Sequence, residues 1–343
     1  MPPLPPHQHI PRVITYYQTH HDSDGNHISV LPLVTQPNIG LTHLILAAIH
    51  INEDPNAITL NDHSPEHPRF TTLWAELRIL QASGIKILGM LGGAAKGSYQ
   101  RLSTIETSPS TFEAYYRPLH ALITAHSLDG LDLDIEEPTS LSAIIALIDR
   151  LRSDFGPDFL ITLAPVAAAL LNTKHNLSGF DYEALEVLRG KEIAWYNAQF
   201  YCGWGDCSNP LMYEMVVRKG WPVEKVVVGL VTNPDNGGGW VPWNALASVL
   251  PLLVGRHPGF GGVMGWEYFN SLPGGKESPW QWCQWMTALV RGTGGLDKAE
   301  LERVDGKEKG KEEVDPDDGV AEGVVLPVPK GFEYLTDGEE GEE

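Results

Sequence analysis

The run Asp129-Gly130-Leu131-Asp132-Leu133-Asp134-Ile135-Glu136 alternates acidic and aliphatic residues with a period of two. Side chains on a β-strand point to opposite faces in turn. Asp132, Asp134 and Glu136 therefore share one face, and Leu131, Leu133 and Ile135 share the other. An apolar face of this kind packs against helices. The acids must then look into whatever the strand encloses.

Seven other short apolar runs flank this one: RVITYY at 12–17, THLILAAIHI at 42–51, KILGMLG at 86–92, LITLAP at 160–165, IAWYNAQFY at 193–201, KVVVGLVT at 225–232 and GGVMGW at 261–266. Segments with helical spacing lie between several of them, at 68–84, 110–126 and 140–155. Gly84 and Gly156 stand where helix stops are expected. Strands alternating with helices indicate βαβ units and a parallel sheet. Eight strand candidates favour closure over an open sheet, so the expected fold is α/β, a (β/α)8 TIM barrel. It should span residues 1–295, with an acidic, disordered tail at 296–343.

The formal net charge is −20, and from Asp297 to Glu343 there are 17 acidic and 6 basic residues, a net of −11. Such a tail buries too little apolar surface to offset chain entropy. A short apolar patch within it, Val324 to Val328 with Phe332 and Tyr334, is a candidate for docking back onto the barrel. The acidic balance speaks against a nucleic-acid partner, which needs a basic surface. No stretch approaches the roughly 20 apolar residues of a membrane span. The N-terminal MPPLPPHQHIPR lacks the pattern of a secretory signal, so either an intracellular protein or one whose signal has been removed is expected, and it is expected to be a monomer. Three cysteines, Cys202, Cys207 and Cys283, suggest reduced thiols, although Cys202 and Cys207 are close enough in sequence to pair.

Three carboxylates stacked inside a barrel cannot all ionise cheaply. Desolvation and mutual repulsion raise their pKa values. Acid–base chemistry at neutral pH needs carboxylates whose pKa values are pushed apart in this way. Barrel active sites also lie at the C-terminal ends of the strands, where Glu136 falls. The alternatives are a solvated acidic strand end or an oxygen-ligand cation site.

The run matches the Asp-Gly-x-Asp-x-Asp-x-Glu motif and so resembles glycoside hydrolase family 18, the chitinases and endo-β-N-acetylglucosaminidases. Other segments resemble the family in order along the chain. Gln199-Phe200-Tyr201 is similar to the sixth strand of class III chitinases. Gly229-Leu230 and Gly239-Trp240-Val241-Pro242 resemble the seventh strand and its loop. Gly262-Val263-Met264-Gly265-Trp266 resembles the eighth, and the likeness covers roughly residues 10–290. One position departs from it. The third strand of the family usually ends Ser-x-Gly-Gly, and here it reads Met90-Leu91-Gly92-Gly93, so the pKa tuning of Asp132 is expected to differ.

The resemblance implies a retaining glycosidase that cleaves β-1,4 N-acetylglucosamine linkages in chitin or chito-oligosaccharides, without cofactor or metal. It also implies substrate-assisted catalysis, in which the 2-acetamido oxygen attacks the anomeric carbon and forms an oxazolinium ion. Glu136 would be the acid and later the base. Asp134 would hold the acetamido N–H, Asp132 would share a proton with Asp134, and Tyr201 would orient the acetamido oxygen. Trp266 would floor the sugar subsite, and Gln199 would contact the same sugar. Trp204 and Trp240, on loops of the catalytic face, are candidates for stacking on further sugars. Tyr16 and Tyr17 end the first strand, and only one of them can face inward. Asp129 and Glu137 point away from the ladder, and Asp129 is expected to brace the strand entry.

Two rivals share the fold: an endo-β-N-acetylglucosaminidase acting on N-glycan cores, and a lectin without catalysis. Such lectins commonly lose the terminal glutamate, which is present here. The glycine-rich 92–98 lacks the order of a phosphate loop. The His20, His21, Asp22, Asp24, His27 cluster lacks metal-ligand spacing and reads as a solvated loop.

Overall fold

Among the described residues, 10–292, the strands form a single closed sheet in this computed structural model. Its parallel members are β1 (Arg12–Tyr17), β2 (His43–His50), β3 (Lys86–Gly92), β4 (Gly130–Asp134), β5 (Leu160–Leu163), β6 (Trp195–Gln199), β7 (Val226–Val231) and β8 (Gly262–Trp266). They pair in chain order, and β1 pairs with both β2 and β8, which closes the barrel. A short strand, Thr59–Leu60, adds antiparallel to the edge of β2. All eight runs read as strands from the sequence are present, within a few residues at their ends.

Helices α1 (Thr71–Ala82), α2 (Pro109–His126) and α3 (Leu141–Phe155) fill the three segments read as helical. Ser140 caps α3 by accepting the Ala143 N–H at 3.1 Å, and Gly156 follows its end. Four more outer helices complete the ring: α4 (Tyr182–Arg189), α5 (Leu211–Arg218), α6 (Trp243–Arg256) and α7 (Gln281–Arg291). Asp181 caps α4 through the N–H groups of Glu183 and Ala184.

Period two divides each strand between two cores. Leu131, Leu133 and Ile135 pack outward, in the large layer between barrel and helices. Ile14, Tyr16, Leu88, Met90, Trp195, Val227 and Met264 fill the barrel interior. Each such side chain contributes roughly 1.5–3 kcal/mol when fully buried. Gly130 belongs to the inward set of β4, and a Cβ there would meet the Leu160 carbonyl oxygen at 2.3 Å. The motif glycine thus lets β4 and β5 lie close where the acid ladder begins.

No helix among the described residues is long and apolar enough to cross a membrane. The three cysteines are free, with Cys202 exposed and Cys207 and Cys283 buried. The boundary expected at residue 295, the acidic tail, and the patch at Val324 to Val328 with Phe332 and Tyr334 lie outside the described residues.

Candidate active site

The ladder faces inward at the C-terminal end of β4. Asp132 is fully buried. It accepts hydrogen bonds from the Tyr16 hydroxyl at 2.6 Å, the Thr162 hydroxyl at 2.5 Å and the Asn197 amide at 3.0 Å. Burial pushes its carboxyl up, against the pull of these three donors. Asp134 is held less tightly, with the Gln199 amide 3.3 Å away. Burial, together with the charges of Glu136 and Asp132, drives the Asp134 carboxyl well above the ordinary range.

Glu136 lies just past the strand end and is partly exposed. Burial raises its carboxyl too, and the Gln199 amide at 3.4 Å partly offsets that rise. A raised carboxyl open to the cleft can donate a proton near neutral pH. Gln199 lies between the last two acids. The same amide nitrogen donates to the Ala164 carbonyl at 2.9 Å, so Gln199 bridges the ladder to β5.

Tyr201 is buried among the interior residues, directly after β6. Burial and the nearby Asp134 and Glu136 charges keep its phenol well above its ordinary pKa, so it remains a neutral donor. Trp266 ends β8 and meets the Tyr16 ring edge-on, with centroids 5.4 Å apart. Of the tyrosine pair, Tyr16 is the inward member. Tyr17 packs outward and donates to the Ile28 carbonyl at 2.6 Å. Tyr16 is buried with its hydroxyl committed to Asp132, which makes it a support of the ladder more than a surface for sugar.

The two loop tryptophans separate. Trp240 packs against both the interior cluster that holds Tyr201 and the outer core. Trp204 packs against the outer core. The Trp240 loop lies flat on the residues after β6, where Cys202 donates its N–H to the Gly238 carbonyl at 2.8 Å. Gly239 has φ +84°, and a Cβ there would come within 3.2 Å of the Tyr201 Cα. Only glycine fits this approach without displacing the loop.

Asp129 braces the entry of β4, as expected. It takes Lys86 Nζ at 2.7 Å, the Ile87 N–H at 2.9 Å and the Gln81 amide at 2.9 Å. Burial alone would raise its carboxyl, and these donors hold it below the usual value. The histidine-rich loop is exposed from Asp22 to Asn26, as read, but His20 departs from the solvated reading. His20 is buried, with its Nε2 near the Tyr17 carbonyl, and burial lowers its pKa to about 3. It lies edge-on to Tyr17 and Phe70, so a polar residue serves there as core. Asp22 organises a turn by accepting the N–H groups of Asp24 and Asn26. No group of three or more His, Cys, Asp or Glu among the described residues is placed to hold a metal.

Sequence reading missed Thr162 and Asn197, the partners of Asp132 from β5 and β6. Both are polar residues at inward positions of otherwise apolar strands, so a period-two reading of those strands would have found them. It also missed Glu267 and read Glu137 only as pointing away from the ladder; both are buried carboxylates beside the site.

Residues 12–233 match the model of the glycosyl hydrolases family 18. A fungal endo-β-N-acetylglucosaminidase of that family superposes with a TM-score of 0.79 at 48% identity, covering 82% of this chain and 99% of that one. Chitinase ChiC from Aspergillus fumigatus superposes with a TM-score of 0.74 at 56% identity, covering 81% and 98%. Chitinase 2 of Rhizopus oligosporus is 28% identical over 208 residues, 56% of this chain. The chain spans only 36% of that curated relative's length.

Proposed function

The chain belongs to family 18 of the glycosyl hydrolases, and from that premise we propose that it hydrolyses β-1,4 linkages of N-acetylglucosamine in chito-oligosaccharides with retention. It is a chitinase-like glycoside hydrolase. The observation that carries the substrate reading is the inward ladder of Asp132, Asp134 and Glu136, in which only Glu136 opens to the cleft.

An ordinary retaining glycosidase needs a second, ionised carboxylate as nucleophile. Asp134 is poorly suited to that task, because burial and its neighbours favour its protonated form. A nucleophile borne by the substrate removes the need. In our reading, Glu136 protonates the leaving oxygen while the 2-acetamido oxygen attacks the anomeric carbon. The glycosidic bond breaks and an oxazolinium ion forms. Asp134 accepts the acetamido N–H, and Tyr201 donates to the acetamido oxygen. Glu136, now ionised, takes a proton from water as that water attacks the same carbon, and the acetamido group is regenerated.

A second reading has a specific support, the 48% identity to a fungal endo-β-N-acetylglucosaminidase. Incubation with chitohexaose and, separately, with a high-mannose glycoprotein decides between them. Shorter chito-oligomers are expected from the first, and an unchanged glycoprotein from the second. Release of the glycan with intact chitohexaose reverses the assignment. No cleavage of either would leave the lectin reading.

A further inference from the structure

Two buried glutamates stand directly after site residues: Glu137 after Glu136, and Glu267 after Trp266. Neither belongs to the ladder. The Glu137 carboxylate accepts the N–H of Gly97 on one oxygen and the N–H of Tyr99 on the other, both at 2.8 Å. The Glu267 carboxylate accepts the N–H of Gln18 at 2.9 Å and of Thr19 at 2.8 Å, and the Thr19 hydroxyl at 2.8 Å. The two arrangements share a plan. Gly97 and Tyr99 follow β3, the strand that pairs with β4. Gln18 and Thr19 follow β1, the strand that pairs with β8. Each carboxylate therefore reaches from the end of one barrel strand to the loop of its neighbour on the catalytic face.

Burying a carboxylate is costly unless its oxygens are fully hydrogen-bonded. Charge-assisted bonds to backbone N–H groups are strong and geometrically demanding. Both side chains are thus fixed, and so is the backbone from which the preceding residue projects. For Glu136 this matters most. Among the described residues its carboxylate receives one hydrogen bond, the 3.4 Å contact from Gln199. Its aim depends on where the chain places it.

We propose that Glu137 and Glu267 are positioning residues. Each ties a neighbouring loop by its N–H groups, and so holds the acid Glu136 and the aromatic floor Trp266 in register on opposite sides of the cleft. The proposal rests on the hydrolase reading above.

The test compares Glu137→Gln and Glu267→Gln in the full chain with Glu186→Gln, a control on the outer face that takes Lys225 and the Tyr196 hydroxyl. Kinetics on chitohexaose are followed from about pH 4 to 9. Glu137→Gln is expected to lower kcat about tenfold or more through misplacement of the acid, with KM nearly unchanged. Its alkaline limb should move to lower pH, because a freed Glu136 becomes better solvated. Glu267→Gln should raise KM about fivefold without moving the limb, through a displaced Trp266. If Glu137→Gln fails to fold, Glu137→Asp keeps the charge, shortens the reach and should show the same signs. Amide exchange gives a readout independent of substrate: Gly97 and Tyr99 should lose protection in the first variant, and Gln18 and Thr19 in the second. Variants that behave like Glu186→Gln in kcat, KM, pH limb and exchange overturn the proposal. Wild-type protein inert on every N-acetylglucosamine substrate sinks the functional reading instead, while the exchange experiment still decides the clamps.

Discussion

Met90 lies directly beside Asp132 in the register between β3 and β4. The family pattern has serine at this position. Here the thioether packs in the barrel interior, and Asp132 draws its three hydrogen bonds from Tyr16, Thr162 and Asn197 instead. The expected result for Met90→Ser is a folded but weaker protein. Removing most of a buried methionine costs about 2–5 kcal/mol. Because Asp132 is already well supplied with donors, kcat should stay close to the parent value. Chemical denaturation and steady-state kinetics check both halves, and a large rise in kcat would contradict the account.

Glu136→Gln removes the proton donor of the proposed mechanism and keeps the shape. Turnover of chito-oligomers should fall by about 10^2-fold or more, the scale of general acid–base catalysis. In the parent enzyme, burial raises the Glu136 carboxyl. The acid must be protonated to act, so kcat/KM should decline as pH rises through that raised value. Near-normal turnover of the glutamine variant would refute the assignment.

Asp134→Asn tests the cost of the ladder. The folded-state pKa of Asp134 lies well above that of the unfolded chain, because of burial and then of Glu136 and Asp132. The folded protein binds a proton that the unfolded chain has released. Stability from this group is fully present below the ordinary carboxylate pKa and is lost as pH rises through the elevated one. Asparagine carries no such dependence. The variant should match the parent at acid pH, below the ordinary carboxylate pKa, and exceed it in stability as pH rises above that range. Activity should fall at the same time. Thermal melts at several pH values measure the crossover, and parallel melting curves at all of them would exclude it.

Trp240 and Trp204 should part company kinetically. Trp240 touches the interior residues of the site as well as the outer core, whereas Trp204 packs on the outer core alone. Trp240→Ala should raise KM for chito-oligomers about tenfold, from the loss of roughly 1.5 kcal/mol of aromatic stacking. Trp204→Ala should change KM far less. Gly239→Ala should act in the direction of Trp240→Ala, since its Cβ would crowd the backbone of Tyr201 and Cys202. Equal effects at Trp240 and Trp204 would show that this division is mistaken.

Local, periodic features were legible in the chain alone. Period two put Asp132, Asp134 and Glu136 on one face and their aliphatic neighbours on the other, and the two cores follow that division. The eight strands were legible because each buries both faces and so reads as an apolar run. Asp129 could be assigned to the strand entry by parity. Features that depend on strands far apart in sequence were not legible. The donors to Asp132 come from positions 116, 30 and 65 residues away. Parity shows that Thr162 and Asn197 face inward, but nothing in a single strand reveals that they meet Asp132. His20 was misread for the same reason, since its burial depends on Phe70, fifty positions later in the chain.

The barrel and the shared inward face of Asp132, Asp134 and Glu136 were written in the chain, because strand pitch and hydrophobic alternation are properties of consecutive residues. Tertiary structure alone decided how the ladder is tuned: which hydroxyls and amides reach Asp132, which of Tyr16 and Tyr17 faces inward, and how Glu137 and Glu267 tie neighbouring loops. Those outcomes follow from closure of the barrel. Closure sets distant strands side by side and removes the water that would otherwise satisfy each buried polar group.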